Sequence, residues 1–306
     1  MNQDDLVLYL SLHYLDDVSL VRTSQVNTKF YRKFCNQIWF DRLQKNYSNV
    51  IETFPESVRV KPYRYQYLLL QNLNRVKSMF RRFELLSLLN IYQFKNLNLN
   101  YLGLEVLPRE IVHLNNLRFL YVSNNQLTNL PRDIGQLNNL KWLSLSNNQL
   151  KFLPLEIGHL NNLQELSVSK NRLTELPPEI KFLTNLQTLY VNDNQLTGLP
   201  LEIKFLTNLQ ELYVHHNQLT ELPLEIKFLT NLYRLDVNNN QLRELPLEIK
   251  FLNKLKRLDV RNNQLRELPQ EIKVSNNLKL LDIRNNQLTK FLPQEIRNIP
   301  NLQIFS

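Results

Sequence analysis

From residue 94 onward the apolar positions recur every 23 residues, with prolines marking the step at 108, 131, 154, 177, 200, 223, 246 and 269. In the unit that begins at Leu199, Leu and Ile or Val stand at 199, 203, 206, 209, 212, 214 and 219, and Glu, Lys, Thr, Asn and Gln fill most of the space between them. The segment Leu212-x-Val214 alternates with period two, which predicts a short strand with side chains pointing to opposite sides. A unit this short cannot bury its own apolar face, so successive units must stack. Stacking sets the strands side by side in a parallel sheet, about 4.8 Å apart, with the recurring Leu and Ile filling one continuous core.

At the end of each predicted strand stands an asparagine: Asn125, Asn148, Asn171, Asn194, Asn217, Asn240, Asn263 and Asn286. A primary amide offers two donors and an acceptor, which suits a turn where backbone groups of adjacent coils would otherwise be buried unpaired. The ladder is therefore read as structural. The register holds in an atypical first repeat over 94–107, except that Leu102 takes the asparagine position. Near the other end, Ser275 replaces a core leucine and the step from Pro269 to Pro293 is 24 residues. The final strand is expected to begin only at Phe305, with no polar cap after it. Its apolar edge is then either exposed, or covered by a partner or a second copy through self-association.

The unit LxxLxLxxN at this period resembles the leucine-rich repeat family. The resemblance implies an α/β solenoid with its parallel sheet on a concave face, and a role in binding proteins. The segment Leu-Pro-x-Glu-Ile-x-x-Leu-x-Asn-Leu is further similar to the repeats of intracellular Ras-pathway scaffolds.

Residues alternating with the buried Leu and Val point outward and form columns on that face. One column runs Tyr121, Ser144, Ser167, Tyr190, Tyr213, Asp236, Asp259, Asp282. Its neighbour runs Phe119, Trp142, Glu165, Thr188, Glu211, Arg234, Arg257, Leu280, with Arg261 and Arg284 joining near the end. Core positions barely vary while these do. Aromatics and arginines are the residues that protein interfaces concentrate as anchors, so Phe119, Tyr121, Trp142, Tyr190, Tyr213, Arg234 and Arg257 are the expected binding residues for a protein ligand. A second surface carries Phe182, Phe205, Phe228 and Phe251 between columns of Glu and Lys. It reads as rings stacked between coils on the solvated convex side, with a second apolar docking stripe as the alternative.

Before the repeats the spacing turns helical. Leu6, Leu10 and Tyr14 lie on one face, Asp16-Asp17-Val18-Ser19 breaks that helix, a second follows through Leu20, Val21 and Ser24, and Thr28 to Leu43 carries Phe30, Phe34, Ile38, Trp39 and Phe40. The stretch from Leu12 to Phe30, followed by Ile38-Trp39-Phe40-Asp41-Arg42-Leu43, resembles an F-box, and in style those of large DNA viruses. The family's opening Leu-Pro is absent, since Val7 follows Leu6. The resemblance implies docking of a Skp-type adaptor of a cullin ubiquitin ligase through Leu6, Leu10, Leu15, Leu20 and Val21. The expected organisation is an F-box-like all-α domain at 1–47, a helical connector at 48–93 and a solenoid at 94–306. Pro55 and Pro62 interrupt the connector before a helical stretch from Tyr63 to Phe80 and another from Arg81 to Tyr92, whose apolar load predicts packing on the first repeat.

Composition narrows the function. Cys35 is the only cysteine, so no intrachain disulfide forms, and with an acidic start this favours an intracellular, cytoplasmic setting. The net charge of +9 is spread thinly, 13 Lys and Arg against 8 Asp and Glu in residues 1–92 and 24 against 20 beyond, so no nucleic acid partner is expected. Four glycines in the whole chain make a phosphate loop improbable, and no apolar run reaches a membrane span. His215-His216 is the only conspicuous pair of metal-binding residues. No catalytic residues, cofactor or metal are expected. The expected role is a non-enzymatic substrate-recruiting adaptor of a cullin-type ubiquitin ligase; the alternative is a signalling scaffold whose N-terminal helices only cap the solenoid.

Overall fold

The computed structural model describes residues 29–59, 61, 66, 70–71, 73–75, 77–78, 88–274, 277–289, 292 and 294–306. The chain divides into two compact units, residues 1–93 and 94–306. In the first, α1 (Lys29–Ile51) is a single helix with a kink at Tyr47, whose φ of −143° leaves the helical region. It runs past Leu43, where the apolar pattern alone would end it. Ile38, Trp39, Leu43 and Ile51 along it are buried. Pro55 starts the short α2 (Glu56–Arg59), where Val58 N donates to the Pro55 carbonyl at 2.9 Å. Gln66 Nε2 then donates to the carbonyls of Arg59 and Lys61, at 2.8 and 2.6 Å. The described residues between 66 and 78 are helical, and α3 (Leu88–Tyr92) closes the unit, with the Tyr92 ring 5.2 Å from Phe54. The expected adaptor residues Leu6, Leu10, Leu15, Leu20 and Val21 lie outside the described residues.

The second unit is a ten-stranded parallel sheet in strict chain order. Its strands are β1 (Asn96–Asn98), β2 (Phe119–Tyr121), β3 (Trp142–Ser144), β4 (Glu165–Ser167), β5 (Thr188–Tyr190), β6 (Glu211–Tyr213), β7 (Arg234–Asp236), β8 (Arg257–Asp259), β9 (Leu280–Asp282) and β10 (Gln303–Phe305). Each strand is three residues long, because 23 residues must leave the sheet and return to it. The central leucines, Leu120 through Leu281, are fully buried. The return path runs through a 3-10 turn that begins after the repeat proline, as at Leu201–Phe205 after Pro200. Proline presets φ near −67° there and lacks only a donor that the turn would not use. The last such turn is replaced by a short helix, α4 (Gln294–Arg297).

One expectation is corrected at the end of the solenoid. The final strand starts at Gln303 rather than at Phe305, and Gln303 pairs with Leu280. The strand-to-strand step is thus held, since the residue added before Pro293 is recovered before the strand. Hydrogen-bond pairing to β9 fixes the register more firmly than the proline spacing does. At the beginning, the exposed Leu102 replaces the ladder asparagine, but its backbone N still donates to Asn125 Oδ1 at 3.0 Å.

Candidate protein-binding face

The asparagine ladder holds the sheet in place. Asn194 Nδ2 donates to the Val168 carbonyl of the preceding coil and to Val191 of its own, both at 3.0 Å, while its Oδ1 accepts from Leu173 N at 2.9 Å. The same set recurs from Asn125 to Asn286, so coils are joined through side chains as well as strands. The residue before each ladder asparagine is left-handed, with φ between 51° and 58° from Asn124 to Asn285. Asparagine tolerates that region best, yet Lys170, Asp193 and His216 also occupy it. His216 is therefore past the strand, and its ring lies 5.5 Å from that of His215. Among the described residues, no group of three or more His, Cys, Asp or Glu could hold a metal ion.

The seven expected binding residues all stand on the outer side of the strands, and the structure brings five of them together in two groups. Tyr121 and Trp142 meet at 6.0 Å with their planes tilted by 50°. Across Ser144, Ser167, Glu165 and Thr188 lies the second group, in which Tyr190 and Tyr213 stack at 4.7 Å and 14° and the Arg234 guanidinium sits 4.7 Å over the Tyr213 ring. Tyr213 and Tyr233 both donate their hydroxyls to the Glu211 carboxylate. That bond, with burial second, pushes the Tyr233 hydroxyl up to about 12, and burial followed by the same carboxylate raises Tyr213 as well. Both phenols stay protonated donors at neutral pH. The platform is thereby fixed in orientation before any ligand arrives.

At the end of the face where Asp and Arg stand together, burial separates the two. Asp236 and Asp282 are only 6% and 4% exposed, although their strand positions point outward. Arg284 pairs with Asp282 at 2.6 Å, and Arg261 reaches Asp282 at 3.8 Å and Asp259 at 3.4 Å. Guanidinium groups cover the carboxylates, so cations are what this end presents. The Arg284 hydrogen bond holds the Asp282 carboxyl below its ordinary value, whereas burial and then Asp236 raise Asp259. Arg257 is exposed beside Arg234 in register and joins none of these pairs.

On the opposite side of the coils, Phe182, Phe205, Phe228 and Phe251 remain 45–50% exposed. The preceding lysine ammonium lies over each ring, 5.1–5.4 Å from its centre. The expected stacking of ring on ring is replaced by a lysine lid on each ring. Sequence columns also missed a second amide ladder on the rim before the strands. Asn208 Nδ2 donates to the carbonyl of Thr184 at 2.8 Å, and Asn139, Asn162, Asn185, Asn231 and Asn277 do the equivalent. The signal was present in the recurring Asn-Leu before each strand.

Comparison with known proteins agrees with this architecture. Family models described as leucine-rich repeat region, leucine-rich repeats in two copies and leucine-rich repeat match residues 132–218, 207–249, and 116–137 with 277–299. This is a leucine-rich repeat protein. A search of curated proteins gave no match. Among solved structures, a Leptospira interrogans leucine-rich repeat protein is 38% identical, with a TM-score of 0.60 over 71% of this chain and 61% of that one. The plant peptide hormone receptor RGFR1, solved in complex with RGF2, is 28% identical, with a TM-score of 0.62 over 71% and 40%. The leucine-rich repeat domain of the type III effector XopL shares the fold, at 24% identity and a TM-score of 0.60 over 97% and 94%. The chain thus spans about three-fifths of the Leptospira protein and two-fifths of the plant receptor. Repeats of this family are typically interaction domains without enzymatic activity. No described helix is long and apolar enough to cross a membrane.

Proposed function

We propose that this leucine-rich repeat protein recruits a protein ligand on the outward face of its sheet and has no catalytic activity of its own. The observation that carries the reading is the Tyr190, Tyr213 and Arg234 stack locked by Glu211. Rigid aromatics and an arginine held in place lose little freedom on binding, which is what interface anchors require. The plant receptor solved with RGF2 supports the class of ligand. Hydrogen exchange of the chain with a captured partner tests the location. Protection over β5 to β8 supports it, and protection confined to the Phe182 to Phe251 side contradicts it.

The second part of the proposal is that residues 1–47 dock a Skp-type adaptor, making the protein a substrate-recruiting subunit of a cullin ubiquitin ligase. It rests on the F-box resemblance of residues 12–43 and on Leu6, Leu10, Leu15, Leu20 and Val21. A pull-down with purified Skp-type adaptor and cullin should succeed with the full chain and fail with a chain starting at Phe94. Binding retained without residues 1–93, or absent from the full chain, defeats it and leaves the scaffold reading, in which the helices serve as a cap.

A further inference from the structure

The rim amide ladder is broken at one coil. Where Asn208, Asn231 and Asn277 each bond a carbonyl 24 residues upstream, the equivalent residue of the intervening coil is Lys254, whose Nζ donates instead to Asn231 Oδ1 at 2.7 Å. Two residues on, the rim column that reads Gln164, Gln187, Gln210, Tyr233 becomes Lys256 and then Lys279. Lys254 stands where the coils on either side carry Asn231 and Asn277, and Lys256 follows the neutral Tyr233, so both changes introduce a cation. They open on one groove of about 390 Å³ lined by Gln210, Asn231, Tyr233, Lys254, Lys256 and Asn277.

Every lining side chain is an amide, a phenol or an ammonium, and none is a carboxylate. The neighbouring Glu211 is engaged by the hydroxyls of Tyr213 and Tyr233. Among the described residues no ion pair joins Lys254, Lys256, Arg257 or Lys279 to a carboxylate. Cations gathered on one rim without counter-charges raise the local potential and favour an anionic partner. A nucleic acid backbone would need a longer basic track, but Gln164, Gln187 and Gln210 separate this rim from Lys141, Arg118 and Lys95. A short run of carboxylates fits the two-coil extent.

We propose that the Lys254 and Lys256 groove docks an acidic segment of the protein ligand, at the rim of the sheet face. The inference rests on the sheet face being the protein-binding surface, and it names the charge of the part of the ligand that lies beyond the Tyr213 platform.

The test uses the full chain and a fluorescein-labelled Glu-rich octapeptide, read by anisotropy at low ionic strength. Lys254→Asn restores the residue of both neighbouring coils, and Lys256→Gln the residue that the same column carries at Gln164, Gln187 and Gln210, so the fold is preserved by design. The double variant should bind the peptide at least about fivefold more weakly, while Lys141→Gln at the far end of the rim should change nothing. Equal affinity in the double variant overturns the proposal, as does an equal loss with Lys141→Gln, which would mean diffuse charge. An oligothymidylate of the same charge that displaces the peptide and binds more tightly overturns it in favour of nucleic acid. Failure of the sheet-face reading appears elsewhere, as unchanged affinity of the protein ligand for Tyr213→Ala, which the peptide assay does not involve.

Discussion

Asn194 illustrates how one residue type decides the fold. Its amide closes bonds to two coils in a site only 8% exposed, so Asn194→Ala strands a buried N–H and two carbonyls at once. The expected loss is about 3 kcal/mol in a urea titration, and a loss near zero would mean that water or backbone movement replaces the amide. That role was legible from spacing and donor count. His215 was less so, because only the folded chain shows its Nδ1 3.6 Å from Asp236 Oδ2, with Asp193, His216 and Arg234 also facing it. Burial lowers its pKa from 6.5. The unfolded chain therefore takes the proton more readily, and stability falls as pH drops through 6.5 toward the folded value. His113, lowered by burial as well, contributes in the same direction. Replacing His215 with Asn, the residue that stands at 192 and 238, should make the pH dependence of the unfolding midpoint shallower than in the wild type; an identical slope would remove His215 from the account.

At the scale of the element, proline spacing announced the turns but not their 3-10 form, since a five-residue turn has too few positions to show a period. Nor did it show how closely the coils approach. A methyl group placed on Gly158 would lie 2.7 Å from the Glu179 carbonyl oxygen, and on Gly135 2.5 Å from that of Glu156. Later coils carry Lys at this position, as at Lys204 and Lys227, so the early turns are packed more tightly than the late ones. Gly158→Ala should cost about 1–3 kcal/mol by chemical denaturation, and a neutral result would show that the coils can slide apart freely. The lysine-lidded phenylalanines are a different case. Phe205 is half exposed beneath Lys204, so Phe205→Ala should cost only about 1 kcal/mol and serves as the control for binding.

For the whole molecule, period and core were readable because stacking repeats each constraint eight or more times. The candidate site was readable only in part, since a surface column shows which residues are present but not what they touch. Sequence showed Asp and Arg together at the end of the sheet; only packing shows the carboxylates beneath Arg261 and Arg284, and Tyr233, absent from the columns, proved to share Glu211 with Tyr213. Function is therefore carried by departures from the repeat. The most direct measurement is the affinity of a captured protein ligand, by isothermal titration calorimetry, for the wild-type chain and for Trp142→Ala, Tyr213→Ala and Phe205→Ala. The account predicts a loss above about 1 kcal/mol for each of the first two and none for Phe205→Ala. Unchanged affinity for Trp142→Ala and Tyr213→Ala, or a loss confined to Phe205→Ala, would contradict it.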